Sequence, residues 1–187
     1  FPNGVDCERF QPRSRDNQLA AELDVPDGCS VLAYAGNFGR AQALGQVTAA
    51  ARRLLRERDD VAVLLVGDGP VKDQVLADTH DLDPARFLVR SSVDAARMPS
   101  LLSLIDVAVV PLADQALFEG ARPSKMFELM ARGIPFVFCG RGEGADLAAE
   151  SGAGLCYATH DGGVTVVSSA DATALRTAVT AVGSGGT

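Results

Sequence analysis

Residues 61–70 read Val61-Ala62-Val63-Leu64-Leu65-Val66-Gly67-Asp68-Gly69-Pro70. Six apolar residues in a row break at a Gly-Asp-Gly-Pro turn. A strand with one face in water alternates apolar and polar side chains. This run has no polar position, so both of its faces must be covered. The same grammar recurs outward from it. Val31 to Ala35 closes at Gly36, Phe87 to Val89 is short, Val107 to Pro111 opens a long loop, and Phe136 to Cys139 closes at Gly140. Leu155 to Tyr157 is a sixth run, and Val164 to Val167 is a short candidate beyond it. Helical stretches lie between the runs, at Gln18 to Leu23, Ala41 to Arg58, Val71 to Thr79, Ala95 to Leu104 and Ala145 to Glu150. In the second of these, Leu44, Val47, Ala51, Leu54 and Leu55 fall on one face, while Arg52, Arg53, Arg56 and Glu57 mostly face water. Pro99 falls in the first turn of its helix, and a last helix is expected from Asp171, as N-cap, to Val182. Strands alternating with helices predict an α/β fold, a Rossmann-like parallel sheet of about six strands with helices on both faces. Ligands of such sheets bind beyond the carboxyl ends of the strands. Here those ends are 36–40, 67–70, 90–92, 112–122 and 140–144.

The second informative stretch is Glu119 to Val137, EGARPSKMFELMARGIPFV. Pro123 suits a first helical turn, Gly133 suits a stop, and Pro135 marks entry to a strand. Lys125 and Glu128 are three residues apart and so share a face. Two readings stand at this point. The helix start, with its free N–H groups, a cation and an acid one turn on, suits a phosphorylated ligand whose sugar hydroxyls meet the acid. It also suits a surface helix with one Lys–Glu pair worth about 0.3–0.5 kcal/mol.

Composition narrows the function. The chain has 187 residues, 47% hydrophobic and 22% charged, as expected of a globular domain with a sizeable core. Its formal net charge of -7 and lack of a basic stripe argue against nucleic acid. No run of about 18 apolar residues would span a membrane. No signal peptide is visible, and Phe1 is not an initiator Met, so the chain reads as a piece of something longer. Cys7, Cys29, Cys139 and Cys156 form no Cys-x-x-Cys pair. Cys139 and Cys156 read as small buried hydrophobes, in a reduced, cytoplasmic setting. His80 and His160 have no evident metal partners, and neither a metal nor a cofactor is expected.

Several chemistries lack their residues. The loop Gly36-Asn37-Phe38-Gly39-Arg40 lacks Gly-x-Gly-x-x-Gly spacing, and the second strand ends without the acid that would hold a dinucleotide ribose. Gly36 and Gly39 still allow a backbone to approach a ligand closely. There is no Gly-Lys-Ser/Thr and no Gly-x-Ser-x-Gly. Asp81-Leu82-Asp83 has metal-binding spacing but lies in a polar loop before Pro84 and reads as a solvated turn. Gly67-Asp68-Gly69-Pro70 is either part of a ligand loop or a tight turn with Asp68 as a cap.

Taken in order, these segments resemble the C-terminal, donor-binding half of a GT-B glycosyltransferase. They are most similar to the retaining family four, and within it to transferases of acetamido sugars for bacterial surface polysaccharides. The segments are Pro2-Asn3-Gly4-Val5-Asp6 with Phe10 and Pro12, and Tyr34-Ala35-Gly36-Asn37-Phe38-Gly39. Next come Val66-Gly67-Asp68-Gly69-Pro70 and Met98-Pro99 through Pro111-Leu112. The last is Pro123-Ser124-Lys125 with Glu128, Met130-Ala131, Gly133-Ile134-Pro135 and Val137. The resemblance implies an interdomain linker remnant at 1–12, a nucleotide-sugar-binding domain at 13–182 and a flexible tail at 183–187.

It also implies roles. Glu128 matches the glutamate that binds the ribose hydroxyls. A second family glutamate, which contacts the donor sugar, would fall at Gly120. Either Glu119 replaces it through a shifted loop, or the contact is absent. The family commonly holds the diphosphate with an Arg and a Lys, at positions that are Asn37 and Gln42 here. Arg40, Arg122 and Lys125 are the available replacements, with Ser124 beside them at the helix start. Ser91 replaces a common glycine in the base-binding loop. The implied reaction moves a sugar from a UDP- or GDP-sugar with retention, with no confident catalytic nucleophile in this chain. The acceptor site belongs to an N-terminal domain, without which this chain would bind donor and not turn over. The implied setting is the cytoplasm, at the inner face of the membrane if the other half makes peripheral contact. The alternatives are a non-catalytic nucleotide-sugar-binding domain and half of a GT-B-fold sugar-nucleotide epimerase, which would need acid–base residues not found here. A flavodoxin-like signalling domain would need an acidic cluster around Asp68.

Overall fold

The computed structural model describes residues 4–160 and 163–166. The helix expected from Asp171 to Val182, the tail at 183–187 and the start of the Pro2-Asn3-Gly4 turn lie outside the described residues. The chain divides into two compact units. One is Arg13–Asp106, and the other joins the segment up to Pro12 to the residues from Val107 onward.

The unit Arg13–Asp106 opens with α1 (Asn17–Glu22), whose first turn is capped by Asp16 accepting the Leu19 N–H. β1 (Ser30–Ala35) follows, then α2 (Leu44–Glu57), β2 (Val61–Val66), α3 (Lys72–Asp78), β3 (Phe87–Arg90) and α4 (Met98–Leu102). The strands are parallel, with β2 between β1 and β3; Val31 pairs Ala62, and Val63 pairs Phe87. All six residues of β2 are buried, as its unbroken apolar run requires. α2 buries Leu44, Val47, Ala51 and Leu55. Its last carbonyls are held by Arg86, whose guanidinium donates to Leu55 O at 3.0 Å and Arg58 O at 2.6 Å. Pro99 sits in the first turn of α4, where its missing N–H is harmless.

The second unit contains β4 (Val107–Pro111), α5 (Ser124–Arg132), β5 (Phe136–Cys139), α6 (Glu143–Ser151), β6 (Gly154–His160) and β7 (Gly163–Val166). β4, β5 and β6 run parallel, and β7 turns back antiparallel on β6. All five residues of β4 are buried. α5 turns Met126 and Leu129 inward and ends on Gly133, which adopts the left-handed conformation (φ 71°) that a helix stop favours. The six expected strands all form, and the short seventh candidate forms as well.

Three local expectations change. The helix expected from Ala41 is split: Arg40–Gln42 makes a 3-10 turn, and Ala43, at φ 45°, breaks it from α2. Pro123 lies one residue outside α5, with an extended ψ of 126°, and the helix starts at Ser124. Cys139 is half-buried, not buried.

The first two loops of the unit Arg13–Asp106 are joined backbone to backbone. Gly36 N donates to Val66 O, and Phe38 N donates to Asp68 O, both at 2.9 Å. Val71 N returns to Phe38 O at 3.1 Å, and the Phe38 ring is fully buried. A Cβ on Gly67 would overlap the Gly36 carbonyl oxygen and meet the Phe38 ring at 2.6 Å. Gly67→Ala is therefore expected to destabilise the chain by about 2–4 kcal/mol, because a packed backbone cannot yield the space. Urea denaturation followed by circular dichroism measures this, and an unchanged midpoint would refute the account.

Candidate functional site

α5 carries the densest chemistry. Its inner face is fixed by Met126, Leu129 and Arg132, so Lys125 and Glu128 sit on the neighbouring face, half-buried and one turn apart. Burial pushes the Lys125 ammonium down to about 8, against the pull of Glu128. Burial pushes the Glu128 carboxyl up, against Arg9 first and Lys125 second. Each charge is thus partly stripped of water and only partly repaid by its neighbours. Such a pair is primed to gain from a ligand that brings an anion to the lysine and hydroxyls to the carboxylate. Ser124, at the first turn, is exposed.

The loop between β4 and α5 contains a 3-10 turn at Ala116–Phe118 and is clasped to the turn between β5 and α6. Glu143 N donates to Glu119 O at 2.7 Å. Arg122 Nε lies 2.7 Å from Glu143 Oε2, and Arg141 pairs with Asp114. Gly142, at φ 74°, leaves the room that Glu119's backbone occupies. Glu119 is therefore fixed by its carbonyl while its side chain remains exposed, in a shallow hollow shared with Asp114, Gln115, Phe118 and Arg141. Gly120 is exposed, and a Cβ there would meet nothing within 4 Å.

In the unit Arg13–Asp106, Gly36, Asn37, Gly39 and Arg40 form one short loop. Tyr34 donates its hydroxyl to Asn37 O at 2.6 Å, and burial holds that hydroxyl well above the usual tyrosine range. Asn37 and Arg40 are exposed, whereas Gly39 is buried under the Gln42 and Asn37 side chains. Gln42 Oε1 is buried without a hydrogen-bond partner among the described residues. Asp68 is not a helix cap. It accepts from Lys72 Nζ, from Ser92 N at 2.7 Å and from Ser92 Oγ at 2.9 Å. These contacts, with Lys72 the strongest, hold its carboxyl down at about 2. Lys72 Nζ also donates to Ser91 Oγ at 2.9 Å, so the Ser91 loop is tied to the Gly67–Pro70 turn. Asp81 pairs with Arg52, and no group of three or more His, Cys, Asp or Glu among the described residues would hold a metal. No helix among them is long and apolar enough to cross a membrane.

Sequence reading singled out Lys125, Glu128, Arg122, Ser124, Glu119 and Gly120, and the structure puts all six on α5 and the loop before it. It missed three residues. Lys72 was signalled by its i, i+4 spacing from Asp68. Arg9 and Arg132 carried no local signal, because the contact linking Gln11 to α5 spans 121 positions of sequence.

Lys125 lets the cost of the site be measured. Its pKa falls on folding, so below about pH 8 both states are protonated and the folded chain bears the full penalty. Between about 8 and 10.5 the unfolded chain holds the extra proton, and the penalty fades. Lys125→Met is expected to stabilise the ligand-free chain at pH 7 by about 1–2 kcal/mol, discounted for residual solvent contact. The gain should shrink as pH rises from 8 to 10.5. Denaturant midpoints across that range test it, and a pH-independent difference would contradict it.

Residues 29–182 match the family described as glycosyl transferases group 1. The colanic acid biosynthesis protein WcaI of Escherichia coli (strain K12), assigned as a glycosyl transferase, is 31% identical over 135 residues. Those residues are 71% of this chain and 32% of that protein, so the chain spans about a third of the relative's length. Among solved structures, WaaG, a glycosyltransferase involved in lipopolysaccharide biosynthesis, has a TM-score of 0.69 at 16% identity, covering 96% of this chain and 46% of that one. HepE (Alr3699) of Anabaena, solved with UDP, has a TM-score of 0.63 at 17% identity, covering 86% of this chain and 43% of that one.

Proposed function

The chain belongs to glycosyl transferases group 1, with the fold of the C-terminal half of a GT-B enzyme, and from that premise we propose that it binds the nucleotide-sugar donor. The reaction is transfer of the sugar from a nucleoside diphosphate, UDP before GDP, to a glycan or lipid-linked acceptor with retention. The observation that carries the reading is the half-buried Lys125–Glu128 pair at the start of α5, where burial disfavours the charge on each member.

The chemistry follows from that pair. Breaking the donor's anomeric C–O bond leaves negative charge on the departing diphosphate. Lys125 and the positive end of the α5 dipole would meet that charge, and in a partly dry site their effect exceeds what water would allow. A phosphate there also returns the Lys125 pKa toward its ordinary value, so ligand and lysine stabilise one another. Glu128 would accept hydrogen bonds from the ribose hydroxyls. Arg122 would join only by sharing its bond to Glu143. Glu119 is assigned to the donor sugar through the hollow before α5, since Gly120 carries no acid. On family resemblance, Gly36, Asn37, Gly39, Arg40 and Ser91 are assigned to the same donor. The acceptor site is assigned to an N-terminal domain, and this chain alone would bind without turnover. WcaI and WaaG support a role in surface polysaccharide synthesis, and HepE supports UDP as the nucleotide; the setting we assign is the cytoplasmic face of the membrane.

Calorimetry with UDP, GDP and uridine tests the proposal. One nucleotide, UDP by preference, should bind. Glu128→Ala should weaken UDP by about 1.5–3 kcal/mol through loss of a charged acceptor. Lys125→Ala should weaken UDP far more than uridine, because its partner is phosphate. No heat with either nucleotide, or equal losses for UDP and uridine, would reject the assignment.

A further inference from the structure

Residues 6–11 form a turn that is tied to α5 through Gln11. Asp6 organises the turn: its Oδ1 accepts the N–H groups of Glu8 and Arg9, each at 3.0 Å, and Phe10 N returns to Asp6 O at 3.0 Å. Phe10 is 5% exposed, so the turn is anchored by a buried ring. One residue on, Gln11 O accepts from Arg132 Nη1. Arg132 is itself 5% exposed and lies one turn after Glu128 on α5. Arg9 immediately precedes these anchors, with its guanidinium carbon 5.1 Å from the Phe10 ring centroid, a cation–π distance that limits where its charge can go. Among the described residues, Arg9 and Lys125, the latter one turn up the same helix, are the cations whose charge favours the ionised Glu128 carboxylate.

We propose that Arg9 is a positioning residue for Glu128: the docked segment keeps this carboxylate ready to accept a ligand's hydroxyls, so donor binding is coupled to docking of the segment. The inference rests on the ribose-binding role of Glu128 proposed above. Physically, burial alone favours the protonated acid, which offers one acceptor fewer and no charge. Lys125 would be occupied by phosphate in the complex, and a lysine neutralised by a dianion no longer supports the carboxylate. Arg9 is then the remaining cation on Glu128. Because it is supplied by a separate segment, undocking that segment removes it without unfolding α5.

The test uses the full chain and the variants Arg9→Gln, Arg9→Lys, Glu128→Gln and the double variant Arg9→Gln/Glu128→Gln. UDP affinity is measured by calorimetry from pH 5 to 8, and the Glu128 carboxyl is titrated by carbon-detected NMR in ligand-free protein. Arg9 is exposed, so its variants should fold, and their NMR spectra report whether they do. Arg9→Gln should move the Glu128 titration, and the acid limb of UDP binding, to higher pH. On that limb UDP should bind about two- to fivefold more weakly, the range expected of a partly screened charge pair. Arg9→Lys should restore both profiles. The double variant should bind like Glu128→Gln alone. An unmoved Glu128 titration in Arg9→Gln would overturn the proposal, and so would a loss of affinity equal at every pH. If UDP does not bind wild-type protein, the nucleotide reading fails by itself, and the ligand-free titration still decides whether Arg9 governs Glu128.

Discussion

Every side chain of β2 and β4 is buried, so neither strand has a face that can carry a charged group. That constraint sets where chemistry can be placed. In a parallel sheet with both faces covered, the strands themselves leave room for polar side chains mainly at their ends. Several of the charged residues discussed above lie there. Asp68 follows β2, Arg90 ends β3, Asp114 and Arg122 follow β4, and Arg141 follows β5. Arg90 illustrates how even the last strand position is used: it donates from Nε to Leu23 O and pairs with Asp24, tying α1's exit to the sheet.

Loops so crowded with polar groups need a rigid frame, and here glycine supplies it by absence of a side chain. Gly67 and Gly69 let two loops pack backbone to backbone over the Phe38 ring, and Gly142 does the same for the loop that carries Glu119. From sequence, the Gly67–Pro70 stretch stood open between a ligand loop and a tight turn. The space at Gly67, Gly69 and Gly142 is instead filled by protein. Gly120 is the opposite case, with open space around it, so nothing in the packing there demands a glycine.

The elements were legible because their signal is local and periodic. Val61 to Val66 admits one reading, and the Lys125–Glu128 spacing puts both residues on one side of α5 whatever surrounds them. Boundaries were less legible where the backbone departs from its averages. Ala43, at φ 45°, is a left-handed residue without the glycine that would announce it. Pro123 suits a cap as well as a first turn, and only its ψ distinguishes them. Asp68 has a capping residue's identity but spends its carboxylate across the loop on Lys72 and Ser92, 24 positions away in the case of Ser92. Arg132 was least legible of all. An arginine in the last turn of a helix reads as a solvated partner of the dipole, and nothing nearby says that it is buried against Gln11.

The distribution of cations ties these threads together. The resemblance expects an arginine and a lysine where this chain has Asn37 and Gln42, and the Gln42 side-chain carbonyl is buried without a donor among the described residues. Arg122 and Arg141 are already engaged by Glu143 and Asp114. The lysine with most to gain from an anion is the one that burial has weakened, since its charge is held at a cost that a phosphate would remove. The proposed donor site would thus trade ligand-free stability for contrast between empty and occupied states. In that proposal the neighbouring carboxylate is left vulnerable, because the lysine cannot fully serve phosphate and Glu128 at once. A second cation acting on Glu128 would resolve that conflict, and Arg9, in the turn organised by Asp6, is the group whose charge favours the carboxylate.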